Sequence, residues 1–175
     1  MKKVKYTALC GMAVALTVVL MAITTILPVL MYVLPIVTGI IVMFMSLVAG
    51  KKYGLGVYAA SSILLLTLIT DKESALTYTL FFGYYPLIKD KFERLPKVFS
   101  WLLKFVVFNL CAVLIGVISV YVFGISGEEY SEFGKWTIPI LLGMSNIVFL
   151  LYDMALKKNK PLLDKLAFNA KKTLK

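Results

Sequence analysis

The residues of this chain that could do chemistry are few, and histidine is absent from the sequence. Without an imidazole, the commonest general base and metal ligand is missing. The two cysteines, Cys10 and Cys111, lie inside apolar segments, where a free thiol behaves as a small hydrophobe. We find no glycine-rich nucleotide loop and no set of residues that would activate a nucleophile. The sequence therefore predicts no catalytic site, no cofactor and no metal.

Two ionisable residues within apolar runs are predicted to be structural. Lys104 is near the start of its run, so its long side chain is expected to reach the membrane interface. Asp153 precedes Lys157 by four residues, which is the spacing of an intrahelical ion pair. A proton or ion pump would be expected to hold a carboxylate nearer the middle of the membrane.

Uncharged polar residues are the better candidates for a ligand site. Asn109 and Asn146 lie inside apolar runs, where they could bind a ligand or simply link two helices by hydrogen bonds. Hydroxyl and aromatic residues near the predicted outer face fit either an aromatic belt or a small-molecule pocket. Together the tentative substrate-binding residues are Thr24, Tyr32, Thr38, Thr67, Tyr78, Asn109, Tyr121, Trp136 and Asn146.

The composition predicts that a lipid bilayer surrounds these residues. Hydrophobic residues make up 61% of the chain and charged residues 16%, and the mean hydropathy is +0.90. A soluble domain carries about one quarter charged residues, so this chain has too little polar surface to dissolve alone. The net charge of +10 comes from short basic clusters between apolar runs, which favours a membrane orientation signal over nucleic-acid binding.

The apolar runs predict an all-α, polytopic membrane protein with six transmembrane helices. Each run ends at proline, glycine or a charged cluster, and a bend at Pro28 and Pro35 separates the first two. The predicted helices are Tyr6–Leu27, Pro35–Ala49, Tyr53–Thr70, Ala75–Ile88, Phe99–Phe123 and Trp136–Leu156.

The positions of the basic residues predict that both termini are cytoplasmic. With the N-terminus inside and six crossings, only Lys72 and Lys135 of the 19 Lys and Arg residues fall outside. Such a bias is typical of the positive-inside rule and predicts a multi-pass protein of the cytoplasmic membrane. The predicted division is a six-helix transmembrane domain over 1–156 and a basic amphipathic cytoplasmic tail over 157–175. The tail could lie on anionic lipid or dock a partner.

Small residues mark one surface of the first helix. Thr7, Gly11 and Ala15 recur every four residues on its cytoplasmic half, and such a stripe lets another helix approach closely. We take these three residues as a tentative partner-docking surface.

The chain resembles the substrate-binding (S) components of energy-coupling factor (ECF) transporters. The resemblance rests on the six helices with both ends inside, the opening segment Lys5–Leu16, the proline-containing bend, and the segment Ala49–Gly56. In that family an Ala-xxx-Ala motif on the first helix packs against a shared transmembrane coupling subunit. Here Thr7, Gly11 and Ala15 occupy the corresponding stretch.

The resemblance implies a subunit that captures a vitamin-like or other small molecule from outside. A transmembrane coupling subunit and two ATPases would be its partners and would supply the energy. The alternative from another class is a scaffold subunit of a cell-shape or envelope-assembly complex of the rod-shape-determining type. A third possibility, that the chain is one half of a secondary transporter, is disfavoured. The predicted midplane of the membrane holds no ionisable residue, and no inverted repeat is evident.

Overall fold

The computed structural model describes residues 2–124 and 137–174, and their regular structure is entirely helical. A 3₁₀ turn over Pro28–Leu30 and a π-helical turn over Tyr78–Phe82 interrupt the α-helices. The α-helices are α1 (Lys2–Ile26), α2 (Val33–Ala49), α3 (Lys51–Leu68), α4 (Lys72–Thr77), α5 (Tyr85–Phe92), α6 (Lys97–Tyr121) and α7 (Thr137–Leu174).

The first three helices form where apolar runs meet strong breakers. Pro28 has no amide hydrogen to continue α1 and begins the 3₁₀ turn that leads to α2, as the predicted bend requires. Gly50 separates α2 from α3 with φ of +103°, a conformation that side chains with a Cβ rarely adopt. The chain therefore folds back on itself twice within its first 68 residues.

One face of α1 packs into the core formed with α2 and α3. Ala13, Met21, Val42, Val57 and Leu65 belong to this core, and four of them are less than 3% exposed. Close packing of such side chains stabilises the fold through van der Waals contacts, which are small singly and large in sum. α1 therefore has one buried face and one exposed face, although apolar residues lie on both.

The fourth predicted helix, Ala75–Ile88, is a broken helix in the structure. The carboxylate of Asp71 caps α4 by accepting a hydrogen bond from the Ser74 amide at 3.1 Å. The π-helical turn then follows, and α5 begins at Tyr85. Irregular helix of this kind is often found at functional sites.

The sixth predicted helix and the predicted tail form one continuous helix, α7. It runs through Pro161 to Leu174, and its 38 residues make it roughly 57 Å long. A hydrocarbon core of ~30 Å can hold only about half of that length. The second half also packs on the protein, because Lys160 pairs with Asp90 at 2.7 Å and Ala167 is buried.

Within residues 2–124 and 137–174, three helices are long and apolar enough to cross a membrane: Lys3–Ile26, Lys97–Tyr121 and Pro139–Lys172. The apolar helix Val33–Ala49 is shorter. The all-α prediction is confirmed for the described residues, and the length and composition of these helices are those expected of a membrane protein.

Several contacts gather the basic segments at one end of the bundle. The rings of Tyr6 and Tyr53 lie 5.8 Å apart, which places the start of α1 beside the start of α3. A Cβ added to Gly54 would lie 3.1 Å from Cδ2 of Leu87, so α5 also packs there. We call this the basic end, because lysines 2, 3, 5, 51, 52, 89 and 91 belong to these segments.

Candidate functional site

Charged side chains of α5, α6 and α7 meet in one cluster at the basic end. The Asp153 carboxylate lies 2.8 Å from Lys89 Nζ and 3.1 Å from Lys104 Nζ. The Tyr85 hydroxyl donates a hydrogen bond of 2.5 Å to the same carboxylate. Glu93, which directly follows α5, lies 3.6 Å from both lysine nitrogens. Two cations and two carboxylates therefore balance, and we call these five residues the charge cluster.

Burial makes the charge cluster energetically important. The side chains of Lys89, Lys104 and Asp153 are each 5% exposed, whereas that of Glu93 is 34% exposed. A charge removed from water costs several kcal/mol unless partners satisfy it, so each member depends on the others. Lys89 also donates to the Asp153 carbonyl oxygen at 2.6 Å, which holds α5 directly against the backbone of α7.

The structure gives Lys104 and Asp153 partners that the sequence did not predict. The Lys104 ammonium group is buried against Asp153 and lies 5.5 Å from the centre of the Trp101 ring. Asp153 pairs with α5 and α6, whereas Lys157 on its own helix is exposed. Spacing within one helix cannot reveal partners that lie on other helices.

Aromatic rings pack directly against the charge cluster. Phe108 and Phe149 are stacked with centroids 4.8 Å apart, and Phe81 meets Phe108 edge-on at 4.9 Å. Phe81 also stacks on Tyr85 at 4.8 Å, which fixes the ring that donates to Asp153. These rings keep water from the cluster, which strengthens the electrostatic interactions inside it.

Asn109 and Asn146 are the predicted site residues that the structure brings together. Each side-chain amide donates to the other's oxygen at 3.0 Å, across α6 and α7. Each also donates to a carbonyl four residues earlier in its own helix, at Phe105 and Leu142. Their polar groups are therefore used within the protein, and the geometry supports the helix-linking interpretation over ligand binding.

The remaining predicted ligand residues are dispersed. Tyr78 is fully buried and its hydroxyl lies 2.6 Å from the Ser61 hydroxyl. The hydroxyls of Thr24, Thr38 and Thr67 bond to carbonyls of their own helices. Tyr121 is 85% exposed. Trp136 lies outside the described residues.

A polar patch connects the first bend to α4 at the end of the bundle opposite the basic end. Tyr32 donates to the Glu73 carboxylate at 3.2 Å, and the Ser74 hydroxyl donates to the Met31 carbonyl at 3.1 Å. The Ser74 hydroxyl also bonds to the Asp71 carboxylate. Of these residues only Tyr32 is a predicted site residue. The polar residues of α4 are about 40 residues away along the chain, in a charged segment that looks like an ordinary exposed loop.

The small-residue stripe lies on an open surface. Thr7, Gly11 and Ala15 are all exposed, whereas Ala13 and Thr17 on another face of α1 are buried. A Cβ added to Gly11 would have no atom within 4 Å. The stripe therefore presents a close-approach surface at the basic end of α1.

No protein-family model, curated protein or solved structure matches this chain. Inference about its function accordingly depends on the two polar ends of the bundle and the open stripe on α1.

Proposed function

We propose that this chain is the substrate-capture subunit of an ECF-type importer. It would take a vitamin-like or other micronutrient molecule from outside and deliver it with a shared coupling subunit and ATPases. The observation that supports this most is the open stripe of Thr7, Gly11 and Ala15, because the other face of the same helix is buried in the bundle.

The proposal includes six crossings with both termini cytoplasmic. α2 and α3, with 17 and 18 residues, are roughly 25–27 Å long and span most of a hydrocarbon core of ~30 Å. The segment Lys72–Phe92 makes the fourth crossing despite its π-helical turn. The basic end then faces the cytoplasm, in agreement with the positive-inside rule.

Docking through the stripe is consistent with how helices associate in lipid. Without a hydrophobic driving force between helices, close backbone approach over small residues provides the packing energy. The stripe lies beside the basic segments, so a partner with cytoplasmic coupling helices could contact both together. The polar patch at Tyr32 and Glu73 is left on the outer side, where a ligand would arrive.

A bulky residue in the stripe is expected to abolish docking without unfolding the chain. Gly11→Leu should lower co-purification of ATPases and a coupling subunit from native membranes by at least about tenfold, which is ~1.4 kcal/mol. The reason is that the leucine side chain would prevent close contact between α1 and the partner's helix. Quantitative mass spectrometry after purification in mild detergent measures the retained partners.

Gly56→Leu is the matched control, because Gly56 is also an exposed helical glycine with no atom within 4 Å of an added Cβ. Equal partner recovery for the Gly11 and Gly56 variants would contradict docking through the stripe. Co-purification of the unmodified chain with cell-wall synthesis proteins and no ATPase would instead support the scaffold function.

A further inference from the structure

An apolar groove opens on the surface at the start of α6, at the basic end. Its volume is about 390 Å³, and apolar side chains make up nearly all of its lining. Phe99 and Leu102 are 65% and 61% exposed, so no other part of the described chain covers them. The lining residues are Leu95, Pro96, Phe99, Leu102, Leu103 and Val106.

This lining selects a hydrocarbon ligand. Apolar side chains offer no hydrogen bond to a polar molecule, whereas a hydrocarbon chain can fill the groove and make van der Waals contacts with its lining. The groove runs along a helix that is long and apolar enough to cross a membrane, so lipid acyl chains are its immediate surroundings. We therefore expect the acyl chain of a lipid to occupy the groove.

Three basic residues are next to the groove-lining residues in the sequence. Arg94 and Lys97 directly flank Leu95 and Pro96, and Lys91 lies one helical turn earlier. All three are exposed, and within the described residues they make no ion pair, unlike the buried lysines of the charge cluster. Basic side chains beside a membrane surface attract anionic lipids, and arginine can bind a phosphate through two parallel hydrogen bonds.

We propose that the groove binds one acyl chain of an anionic phospholipid whose phosphate is held by Arg94 and Lys97. A second copy of the chain is a poorer occupant, because two such surfaces facing each other would bring like charges together. The inference requires only that the chain lies in a membrane, and it is independent of any role in transport.

Native mass spectrometry of the purified full chain in detergent tests the proposal with two lipids of identical acyl chains. The unmodified chain is expected to retain one phosphatidylglycerol at least about tenfold more tightly than phosphatidylcholine. The double variant Arg94→Gln/Lys97→Gln should lose this preference. Lys51→Gln/Lys52→Gln should keep it, because it removes the same charge from exposed lysines that are not next to the groove-lining residues in the sequence.

A second pair of variants tests the groove itself. Val106→Trp should fill it and lower retention of both lipids severalfold, whereas Val113→Trp should not. The two valines are 55% and 52% exposed on the same helix, so both variants should fold, and thermal unfolding checks this. Equal retention of the two lipids, or equal loss in the control variants, would overturn the proposal. A dimer that only Val106→Trp disrupts would assign the groove to a second copy and would also overturn it.

Discussion

Replacing Asp153 with asparagine is expected to lower the free energy of unfolding by about 3–5 kcal/mol. The substitution keeps the side-chain shape but leaves Lys89 and Lys104 buried, with only the partly exposed Glu93 to balance them. Two like charges in a dry site then repel each other and cannot regain water. Thermal or chemical unfolding of the purified protein in mild detergent measures the loss.

Other substitutions in or near the charge cluster should lower the free energy of unfolding by smaller amounts. Lys104→Met is expected to cost less than Asp153→Asn, because Asp153 keeps its contacts with Lys89 at 2.8 Å and Tyr85 at 2.5 Å. Asp164→Asn is the control, since Asp164 is an exposed carboxylate on the same helix. If the Asp153 and Asp164 variants unfold alike, the charge cluster does not stabilise the bundle.

Replacing Gly39 with alanine is expected to destabilise the chain by about 1–3 kcal/mol, even though alanine favours helix. An added Cβ at this position would clash with the Phe82 carbonyl oxygen and the Tyr152 hydroxyl. To fit, α2 must move away, or the hydrogen bond of 2.9 Å between Tyr152 and Phe82 must break. The same unfolding measurement detects the change.

Gly56→Ala is the control for this position. An added Cβ there has no atom within 4 Å, so the gain in helix propensity should leave stability unchanged or raise it by up to about 1 kcal/mol. Equal destabilisation by the two alanines would show that α2 does not pack against Phe82 and Tyr152 as described.

Sequence reasoning was most successful where one local signal dominates. The long apolar runs of α1 and α6 and the breakers Pro28 and Gly50 agree with the observed helices to within a few residues. The predicted end of the sixth helix at Leu156 is wrong, because α7 continues through Lys157 and Lys158 to Leu174. Charged residues end a membrane segment, but they do not end a helix.

The candidate site could not be predicted in full, because its residues come together only through packing between helices that are distant in the sequence. Asn109 and Asn146 were each identified, but their mutual hydrogen bonds become visible only once α6 and α7 are packed. Lys89 and Lys104 lie 64 and 49 residues from Asp153 along the chain, so no spacing rule links them. Their shared location at the basic end of three apolar segments was the signal that could have suggested the cluster.

The orientation of the bundle in the membrane underlies its proposed function, and cysteine labelling in intact cells measures it most directly. In a chain that lacks Cys10 and Cys111, single cysteines would replace Val29 in the 3₁₀ turn opposite the basic end, Lys52 at the basic end and Lys165 on α7. An impermeant maleimide should label the Val29→Cys variant in intact cells and the other two only after permeabilisation. Labelling of Lys52→Cys or Lys165→Cys in intact cells, with Val29→Cys protected, would contradict the proposed topology.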